Sequence, residues 1–379
     1  MAKLAVEGLS KKYGKTVGIA GIDLDIADGE FFVILGPSGA GKTTTLKSIA
    51  GLVDVDDGAV HIGGTDMTAV EPYHRNVAMA FESYALYPQK TVSQNLASPL
   101  KSGRTGKYTK AEQTERIKSV TTTLGIDHLL ERFPRELSNG QRQRVALGRV
   151  LVRPADAYLL DEPLSHLDAK LRASMRVELR RLGEMSKTTT VYVTHDYQEA
   201  LALGDRIAIL REGRVVQVDT PANIWRTPAD TFVAKALGQP EINLYDAVVD
   251  NDRVRVLGAS IELAVPRDSG LKSGDSARIG MRPCDIEVSA DRSPDPGKMN
   301  FSGTVVLAER LGRDVEVSVD VGGTTRTALI ALSKGGRHLV EGEKVTVSID
   351  PSDIHIFEGR DAGSEIETRR LCAADRKDH

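Results

Sequence analysis

The stretch GPSGAGKTTT at residues 36–45 constrains the fold of this 379-residue chain more than any other. It follows the apolar run FFVIL, precedes a segment of helix formers, and fits the pattern GxxxxGK[ST]. Glycines at these positions let successive backbone N–H groups converge on phosphate oxygens. The pattern therefore predicts a strand, a phosphate-binding loop and a helix, the central unit of an α/β domain with a parallel sheet.

The loop and the first helical turn form the predicted phosphate-binding set. Lys42 can reach the terminal phosphates of a nucleotide, and the Thr43 hydroxyl suits a Mg²⁺ ion. A glycine-rich turn without a ligand is the alternative, and the flanking strand and helix argue against it. The predicted set comprises Gly36, Pro37, Ser38, Gly39, Ala40, Gly41, Lys42, Thr43 and Thr44.

Short apolar strands alternate with helical segments up to about residue 240, and this alternation predicts an α/β domain over residues 1–240. Helix formers dominate from about 88 to 152, which predicts a helical insert beside the sheet. The predicted strands are FFVIL at 31–35, NVAMA at 76–80, AYLL at 157–160, TVYVT at 190–194 and RIAIL at 206–210.

The character of the sequence changes after Pro240. Short alternating strands separated by Gly, Asp and Pro turns run from NLYDAVVD to KVTVSID. They predict a second, all-β domain over residues 241–358, a small barrel or sandwich. The charged, apolar-poor stretch 359–379 is expected to be frayed or disordered.

Composition disfavours several classes of function. The formal net charge is −3 and the pI is about 6.3, so the sequence does not indicate a positively charged surface that would bind nucleic acid or an anionic membrane. Cys284 and Cys372 match no metal-ligand spacing and suit a reducing compartment. Neither a signal-peptide core nor an apolar run of roughly 20 residues is evident. We therefore expect a cytosolic protein that reaches any membrane through another protein.

Two adjacent carboxylates end a predicted strand in the run AYLLDEP. Phosphoryl transfer to water needs a metal ligand and a group that orients the water. Asp161 is placed to hold the Mg²⁺ shell, and Glu162 to act as the general base. An ordinary acidic loop explains these residues equally well when they are taken alone, but the phosphate-binding loop favours the catalytic interpretation.

Two further side chains are candidates for nucleotide contacts. His195 follows the strand TVYVT, at the carboxyl end where ligands bind in open α/β sheets, so it is a candidate sensor of the γ-phosphate. A structural role is the commoner one for a single histidine. Tyr13 lies in the basic turn LSKKYGK, where it could stack on a nucleotide base or simply be a surface tyrosine.

The stretch ELSNGQRQR at 136–144 predicts a second helix N-terminus suited to an anion. Ser138, Asn139 and Gly140 make an N-cap ahead of a charged helical turn, and N–H groups at such a terminus bind phosphate. Because one phosphate loop is already present, the residues alone do not assign a ligand to this second site.

Together these motifs resemble those of the ATP-binding cassette (ABC) family, in the family's order and over nearly the whole chain. GPSGAGKTT resembles the Walker A motif, YLLDEP the Walker B motif, LSNGQ the signature, LSHLD the D-loop and THD the switch histidine. SYALYP, DEPLSHLDAKLR and GMRPCDI resemble the ATPase subunits of bacterial carbohydrate importers of the maltose and glycerol-phosphate type. In that group the C-terminal β-domain is a regulatory module.

The resemblance implies an α/β P-loop ABC ATPase domain with a helical subdomain, followed by an all-β OB-like (TOBE) domain. It implies that ATP and Mg²⁺ bind and that ATP hydrolysis drives import of a sugar or sugar-like solute. Two cassettes would face each other head to tail. The signature residues Ser138, Asn139, Gly140 and Gln141, with Asp168 of the D-loop, would then contact nucleotide across the dimer interface.

The resemblance also implies partners and a location. Two transmembrane permease subunits would bind the pair of ATPases, around residues 82–88 and the helical insert. An extracytoplasmic solute-binding protein would act indirectly, and no nucleic acid is expected as a partner. The chain would lie peripherally at the cytoplasmic face of the bacterial membrane.

Three positions depart from the family pattern. Glu82 in MAFESYALYP stands where the family usually has a glutamine that ligates Mg²⁺ and senses the lytic water, so Glu82 is an expected metal ligand and catalytic residue. A glutamate there would tighten Mg²⁺ binding and add negative charge beside the phosphates. Asn139 replaces the first signature glycine, and His166 replaces a small residue or Asn. Both a homodimer and a pair with a non-identical ATPase fit these substitutions.

Other functions fit parts of the pattern. An ATPase of an importer of inorganic ions or polyamines would have the same domain organisation. Only the resemblance of the short motifs SYALYP, DEPLSHLDAKLR and GMRPCDI favours a carbohydrate as the solute. A cassette protein of translation or DNA repair usually carries two cassettes in one chain or a long coiled-coil insert, and binding nucleic acid favours a basic face. The sequence predicts none of these features, which disfavours this class. A scaffold protein without hydrolysis is disfavoured by intact Lys42, Asp161, Glu162 and His195.

Overall fold

The alternation of strands and helices in the first part of the chain folds into a layered α/β unit. The computed structural model describes residues 2–81, 86–101, 108–165, 167–266, 269–290, 295, 297–322, 328–334, 339–359 and 368–373. The chain divides into two compact units, Met1–Ala222 and Asn223–His379. This division lies before residue 240, where the sequence pattern changes, and the domain boundary predicted there stays a prediction.

The first unit contains the five strands expected from apolar runs, here β3, β6, β7, β8 and β9, and helices α2 to α4 lie in the expected helical insert. Its strands are β1 (Leu4–Tyr13), β2 (Thr16–Ile26), β3 (Phe31–Leu35), β4 (Asp57–Ile62), β5 (Thr65–Asp66), β6 (Val77–Ala80), β7 (Ala157–Asp161), β8 (Thr189–Thr194), β9 (Arg206–Arg211) and β10 (Arg214–Asp219). Its helices are α1 (Lys42–Ile49), α2 (Val92–Lys101), α3 (Lys110–Leu124), α4 (Asn139–Leu151), α5 (Ala169–Ser186) and α6 (Tyr197–Leu203), and α7 (Pro221–Arg226) runs across the division between the units.

The main sheet of the first unit has the strand order β10-β9-β3-β8-β7-β6. Strands β9, β3, β8, β7 and β6 are parallel, and β10 is antiparallel at one edge. Every residue of β3, β7 and β8 is buried, as expected for parallel strands covered on both faces. Their carboxyl ends therefore meet at one edge, which is where ligands bind in such sheets.

A second, antiparallel sheet of order β2-β1-β4-β5 covers the main sheet, a layer that the strand pattern did not predict. One hydrophobic cluster joins the two sheets and helix α1. Leu4 of β1, Phe32 of β3, Leu46 of α1 and Val191 of β8 all belong to it. Helix α1, which follows the phosphate-binding loop, is thus fixed between the two sheets.

Arg75 fixes the far end of the same helix. It is 4% exposed and donates hydrogen bonds to the carbonyl oxygens of Ser48 and Ile49, both at 3.0 Å, and to those of Val70 and Thr68. Burial lowers the pKa of its guanidinium. A cation at a helix C-terminus is favourable because it neutralises the negative end of the helix dipole.

The second unit is nearly all β, as expected. It contains α8 (Thr231–Ala236) and the strands β11 (Asn243–Asp250), β12 (Arg253–Val256), β13 (Glu262–Ala264), β14 (Ser276–Met281), β15 (Ile286–Ser289), β16 (Met299–Leu311), β17 (Asp314–Asp320), β18 (Leu329–Lys334), β19 (Lys344–Ile349), β20 (Ile354–Glu358) and β21 (Arg370–Ala373). They form two antiparallel sheets, of order β13-β12-β11-β14-β20-β21 and β15-β19-β16-β17-β18, around one hydrophobic cluster.

Strand β21 lies within the stretch 359–379, which was expected to be frayed. That expectation is wrong for Arg370–Ala373, because these residues pair with β20 and add an edge strand to the first sheet. Leu371 and Cys372 pack against the hydrophobic cluster. The alternation of apolar and polar residues in this strand is too short to be recognised as a strand within a charged sequence.

Within the described parts of the chain, no helix has the length and apolar character needed to cross a membrane.

Candidate nucleotide site

The phosphate-binding loop begins where β3 ends, at Gly36, and ends at Gly41, the N-cap of α1. A Cβ at Gly36 would lie 2.5 Å from the carbonyl oxygen of Leu210. A Cβ at Gly41, where φ is +98°, would lie 2.6 Å from that of Gly18. The backbone of this loop is therefore pressed against neighbouring strands in a way that only glycine permits. Of the other predicted loop residues, Pro37, Ser38 and Gly39 are exposed, Thr44 is half-buried and Ala40 is buried.

Lys42 is held inside the loop. Its side chain is 5% exposed, and its Nζ donates hydrogen bonds to the carbonyl oxygens of Gly36 at 2.8 Å and Pro37 at 3.0 Å. The same Nζ lies 3.6 Å from Oε1 of Glu162. The ammonium group is thus placed between the loop backbone and the second carboxylate of the run LLDEP.

Thr43 and Asp161 meet at the carboxyl ends of β3 and β7. The Thr43 hydroxyl donates a hydrogen bond to Oδ1 of Asp161 at 3.0 Å, and Asp161 is 3% exposed. A hydroxyl and a carboxylate are oxygen donors of the kind Mg²⁺ takes, usually completed by water and substrate phosphates. The pair therefore fits Mg²⁺ held together with a nucleotide. No cluster of three or more His, Cys, Asp or Glu side chains suited to a metal occurs among the described residues.

Glu162 lies in a backbone conformation that is rare for its residue type. Its φ is +44°, and its N–H donates to the carbonyl oxygen of Val193 at 3.0 Å. This turn directs the side chain toward the end of β8, where Oε2 lies 2.8 Å from Nδ1 of His195. The Glu162 side chain is 17% exposed and that of His195 56% exposed. A carboxylate and an imidazole are thus paired at the edge that carries the phosphate loop.

Tyr13 lies close to the loop although it is far away in sequence. Its ring packs over Gly18, where an added Cβ would lie 2.9 Å from a ring carbon, and the Gly18 carbonyl abuts Gly41. The ring is 49% exposed. The exposed ring thus lies beside the phosphate loop, and its stacking on a base stays a prediction.

The signature stretch begins helix α4. Ser138 is the N-cap, and its hydroxyl accepts a hydrogen bond from Gln141 N–H while Oε1 of Gln141 accepts one from Ser138 N–H. This reciprocal pair is a capping box. Asn139 is exposed, and Gly140 lies under the side chain of Leu167, 3.1 Å from where its Cβ would be.

The D-loop therefore lies beside the signature within one chain. Asp168 is the N-cap of α5, and its Oδ1 accepts a hydrogen bond from Leu171 N–H at 2.9 Å. The signature and D-loop residues form one surface, and the phosphate loop with Asp161, Glu162 and His195 forms another. The two surfaces meet at Ser165 of the D-loop, whose hydroxyl donates a hydrogen bond to the Glu162 carbonyl oxygen at 2.9 Å.

Glu82 and His166 lie outside the described residues. Strand β6 leads to Glu82, and its Ala80 pairs with Leu160 of β7. The chain therefore leaves the sheet next to Asp161, but the metal-ligand role of Glu82 stays a prediction.

Several polar residues beneath His195 were missed by the sequence interpretation. Asp196 is the N-cap of α6, and its Oδ1 accepts from the N–H groups of Gln198 and Glu199. Glu199 is buried, and Arg172 reaches both carboxylates from α5. The pattern Asp196-x-x-Glu199 is a capping signal that could have revealed the start of α6.

A cavity of about 640 Å³ lies in the second unit, and none of the predicted site residues lines it. Its walls carry hydroxyl groups and two charged side chains. They are formed by Ser260, Ser302, Gly303, Thr304, Asp320, Val321, Gly322, Lys344, Val345 and Thr346.

Comparison with known proteins gives matches to both units. The chain matches the sequence model of the ABC transporter family over residues 19–165 and that of the TOBE domain over residues 279–357. It is 41% identical to the xylose/arabinose import ATP-binding protein XacK of Haloferax volcanii, over 98% of this chain and 97% of that protein. It is also 41% identical to the sn-glycerol-3-phosphate import ATP-binding protein UgpC 2 of Rhizobium johnstonii, over 94% of this chain and 97% of that protein.

Solved structures resemble the first part of the chain. A dimeric structure of MJ0796, described as a bacterial ABC transporter cassette, is 29% identical with a TM-score of 0.54, and the match covers 57% of this chain and 98% of that one. A post-hydrolysis structure of the same cassette with ADP and Pi is 28% identical with a TM-score of 0.53, over the same shares of the two chains.

Proposed function

The chain belongs to the ABC transporter family and is an ATPase, and from this premise we propose that it energises import of a sugar or sugar-like solute through a transporter with two permease subunits. The solute class comprises sugars, oligosaccharides, polyols and glycerol phosphate. Its support is the identity over nearly full length to import ATP-binding proteins whose names specify pentoses and glycerol 3-phosphate.

One observation carries the hydrolytic part of the proposal: Lys42, the pair Thr43 and Asp161, and the pair Glu162 and His195 meet at one edge of the sheet. In this proposal the loop N–H groups and Lys42 bind the phosphates of ATP. Thr43 and Asp161 would hold Mg²⁺, which supplies positive charge to the phosphate oxygens.

Glu162 takes the role of general base for the attacking water, since its carboxylate lies at the end of the strand beside the phosphate loop. Its hydrogen bond with His195 supports a fixed orientation of the carboxylate, and His195 is the proposed sensor of the γ-phosphate. Tyr13 is proposed to stack on the base. Glu82 completes the set as a proposed metal ligand.

A second ATPase subunit is part of the proposal. Ser138, Asn139, Gly140 and Gln141 are at the surface or half-buried at a helix N-terminus, where N–H groups suit a phosphate. We propose that they, with Asp168, contact the nucleotide of a partner cassette, and the existence of a dimeric structure of MJ0796 supports the pairing of cassettes.

Exposed aromatic side chains close in sequence to residues 82–88 support the proposed permease contact. Tyr73 is 63%, Phe81 36% and Tyr87 40% exposed. Tyr87 is held rigidly, because its N–H donates to and its carbonyl accepts from the side chain of Asn95, which is 0% exposed. Exposed apolar groups on a fixed backbone favour a protein contact. The chain would thus be attached to a membrane peripherally, through its permeases.

Co-purification from the native host tests this function. The chain, tagged at one end, should bring down two membrane permeases, and the ATPase rate of the reconstituted complex should rise with its binding protein and a pentose, polyol or glycerol phosphate. Stimulation only by a polyamine or an inorganic ion would overturn the solute class. Stimulation by nucleic acid without permeases would overturn the transport function itself.

The mass of the same intact complex decides the composition of the ATPase pair. Two copies of this chain per complex would establish a homodimer. One copy with a different ATPase would establish a pair with two unequal composite sites. Asn139 would then be a residue at which the two sites differ.

A further inference from the structure

Arg172 joins the D-loop to the segment that carries His195. It lies on α5, one helical turn after Asp168, and its Nη2 donates a hydrogen bond to the carbonyl oxygen of Leu167 at 3.2 Å. Its Nη1 lies 3.2 Å from Oδ2 of Asp196, the residue that follows His195. One guanidinium group therefore contacts the chain immediately before Asp168 and immediately after His195.

Glu199 forms the other support of this segment. It is buried, and its Oε2 accepts hydrogen bonds from the Tyr192 hydroxyl at 2.8 Å and the Thr194 hydroxyl at 2.7 Å. These residues belong to the end of β8, just before His195. Burial raises the pKa of the Glu199 carboxyl. The Thr194 hydroxyl also accepts from Asp196 N–H at 3.0 Å, so both sides of His195 are held by one network.

A small cavity of about 20 Å³ lies inside this network. A space of this size holds about one water molecule when polar groups surround it. Nε of Arg172 is buried without a hydrogen-bond partner in the described structure and lies 3.9 Å from Oε1 of Glu199. The cavity is lined by Glu162, Ser165, Arg172, Thr194, His195, Asp196 and Glu199.

We propose that Arg172 is a positioning residue that holds His195 against Glu162, by fixing Asp196 on one side of the histidine and by sharing a polar cavity with the pair. Arg172 touches neither reacting atoms nor the phosphate loop, so it acts through His195. The His195 side chain is more than half exposed, so its orientation depends on the hydrogen bond to Glu162 and on the backbone held on both sides of it rather than on packing. This inference rests on the role proposed above for His195 in hydrolysis.

Helix α5 offers a matched control. Arg180, two turns further along, donates to the carbonyl oxygen of Leu203 at 2.8 Å and pairs with Asp205 at 2.9 Å. It thus makes the same kind of contact as Arg172, to the opposite end of α6 and away from His195. Arg172→Met should lower kcat roughly tenfold or more and change KM for ATP less than about twofold, whereas Arg180→Met should leave kcat within about twofold. Arg172→Lys should restore part of the loss. Equal losses in the two Met variants would overturn the proposal.

A double-mutant cycle in the full chain tests whether Arg172 acts through His195. If it does, Arg172→Met in the His195→Ala background should lower turnover no further than His195→Ala alone. Losses that multiply would show that Arg172 acts independently and would overturn the inference.

Ring-nitrogen NMR of the ¹⁵N-histidine-labelled full chain gives a readout that needs no turnover. The signal of His195 is identified by its loss in His195→Ala. We expect Arg172→Met to shift this signal and Arg180→Met to leave it in place, and an unmoved signal in Arg172→Met would overturn the inference. Full turnover in His195→Ala would instead contradict the catalytic role proposed for His195, so the two failures can be told apart.

Discussion

At the scale of single residues, Glu162 shows how the backbone sets the chemistry of the site. Its φ of +44° is uncommon for a residue with a side chain, and such conformations persist where the surrounding structure imposes them. Here the hydrogen bond to Val193 and the adjacent Ser165, whose N–H and hydroxyl both donate to the Glu162 carbonyl, hold the turn. The turn places the carboxylate between Lys42 and His195.

The role of Glu162 predicts the effect of an isosteric change. Glu162→Gln keeps the shape but removes the basic carboxylate, so ATP turnover should fall by a factor of about 10² or more while ATP still binds. Steady-state phosphate release and ATP binding to the full chain measure the two effects. Glu115→Gln, at an exposed position on α3, is the control and should be neutral. Unchanged turnover in Glu162→Gln would contradict the general-base assignment.

His355 should make the stability of the second unit depend on pH. It is 5% exposed, and burial, with smaller contributions from Arg282 and Arg370, lowers its pKa from 6.5 to about 3. Between these values the unfolded state binds a proton that the folded state does not. The contribution of His355 to the free energy of unfolding is therefore fully present above pH 6.5. It falls as the pH drops toward 3, by up to roughly 1.4 kcal/mol per pH unit.

Urea unfolding at pH 7 and pH 4.5 measures this dependence. His355→Gln removes the titrating group, so the variant should lose clearly less stability than the wild type on acidification. His128→Gln, an exposed change in the first unit, should retain the wild-type dependence. Parallel losses in wild type and His355→Gln would assign the acid sensitivity to other groups.

At the scale of elements, the phosphate loop depends on a steric requirement as well as on its dihedral angles. Gly41 (φ +98°) leaves no room for a Cβ, whereas Gly64 (φ +76°), in the turn between β4 and β5, has nothing within 4 Å. At both positions a substituted alanine would have to adopt a positive φ, which costs about 1 kcal/mol. Gly41→Ala should therefore weaken ATP binding strongly and Gly64→Ala should not, as titration calorimetry would show. Equal affinities would contradict a rigid loop.

Arg282 ties the first helical segment of the second unit to strand β14. It is 2% exposed, and it donates to the carbonyl oxygens of Ala234, Leu237 and Trp225, at 3.3, 2.6 and 3.1 Å. Its guanidinium lies 4.1 Å from the Trp225 ring centre, and burial lowers its pKa to about 10. The residue thus satisfies three carbonyls at once.

Arg282→Met should lower the free energy of unfolding of the second unit by roughly 3 kcal/mol, because it leaves these carbonyls without their charged donor. Arg255→Met is the comparison, since Arg255 is 50% exposed and pairs with Asp250 and Glu262 at the surface. Its loss should cost less than about 1 kcal/mol. Chemical denaturation followed by tryptophan fluorescence measures both, and equal effects would contradict the anchoring role.

At the scale of the whole molecule, the two units should respond separately to nucleotide. Trp225 is the chain's only tryptophan and lies in the second unit, so its fluorescence reports that unit, while far-UV circular dichroism reports both. A ligand stabilises what it binds by about 2.7 kcal/mol at 100 times its Kd. Mg²⁺ and ATP should raise the midpoint of the dichroism transition and leave the fluorescence transition in place. An equal shift of both would show that the units unfold as one.

Several features of the fold were predictable because their causes are local. The apolar runs at β3, β7 and β8 are buried on both faces, and the GxxxxGK[ST] pattern needs only neighbouring residues to form the loop. The run Ser138, Asn139 and Gly140 predicted a helix start, and the structure has the N-cap of α4 at Ser138. In contrast, β21 escaped notice because its four residues lie in a charged stretch and are too few to show a clear alternation.

The sequence by itself determined which residues are proposed to bind phosphate, which carboxylates follow the strand, and which family's motifs they resemble. Tertiary structure decided what those residues touch. It brought Thr43 to Asp161 and Glu162 to His195, and it chose the carbonyls that Arg75, Arg172 and Arg282 bind. The reason is physical: backbone carbonyls are identical in every residue, so only the folded chain specifies which of them a buried arginine meets.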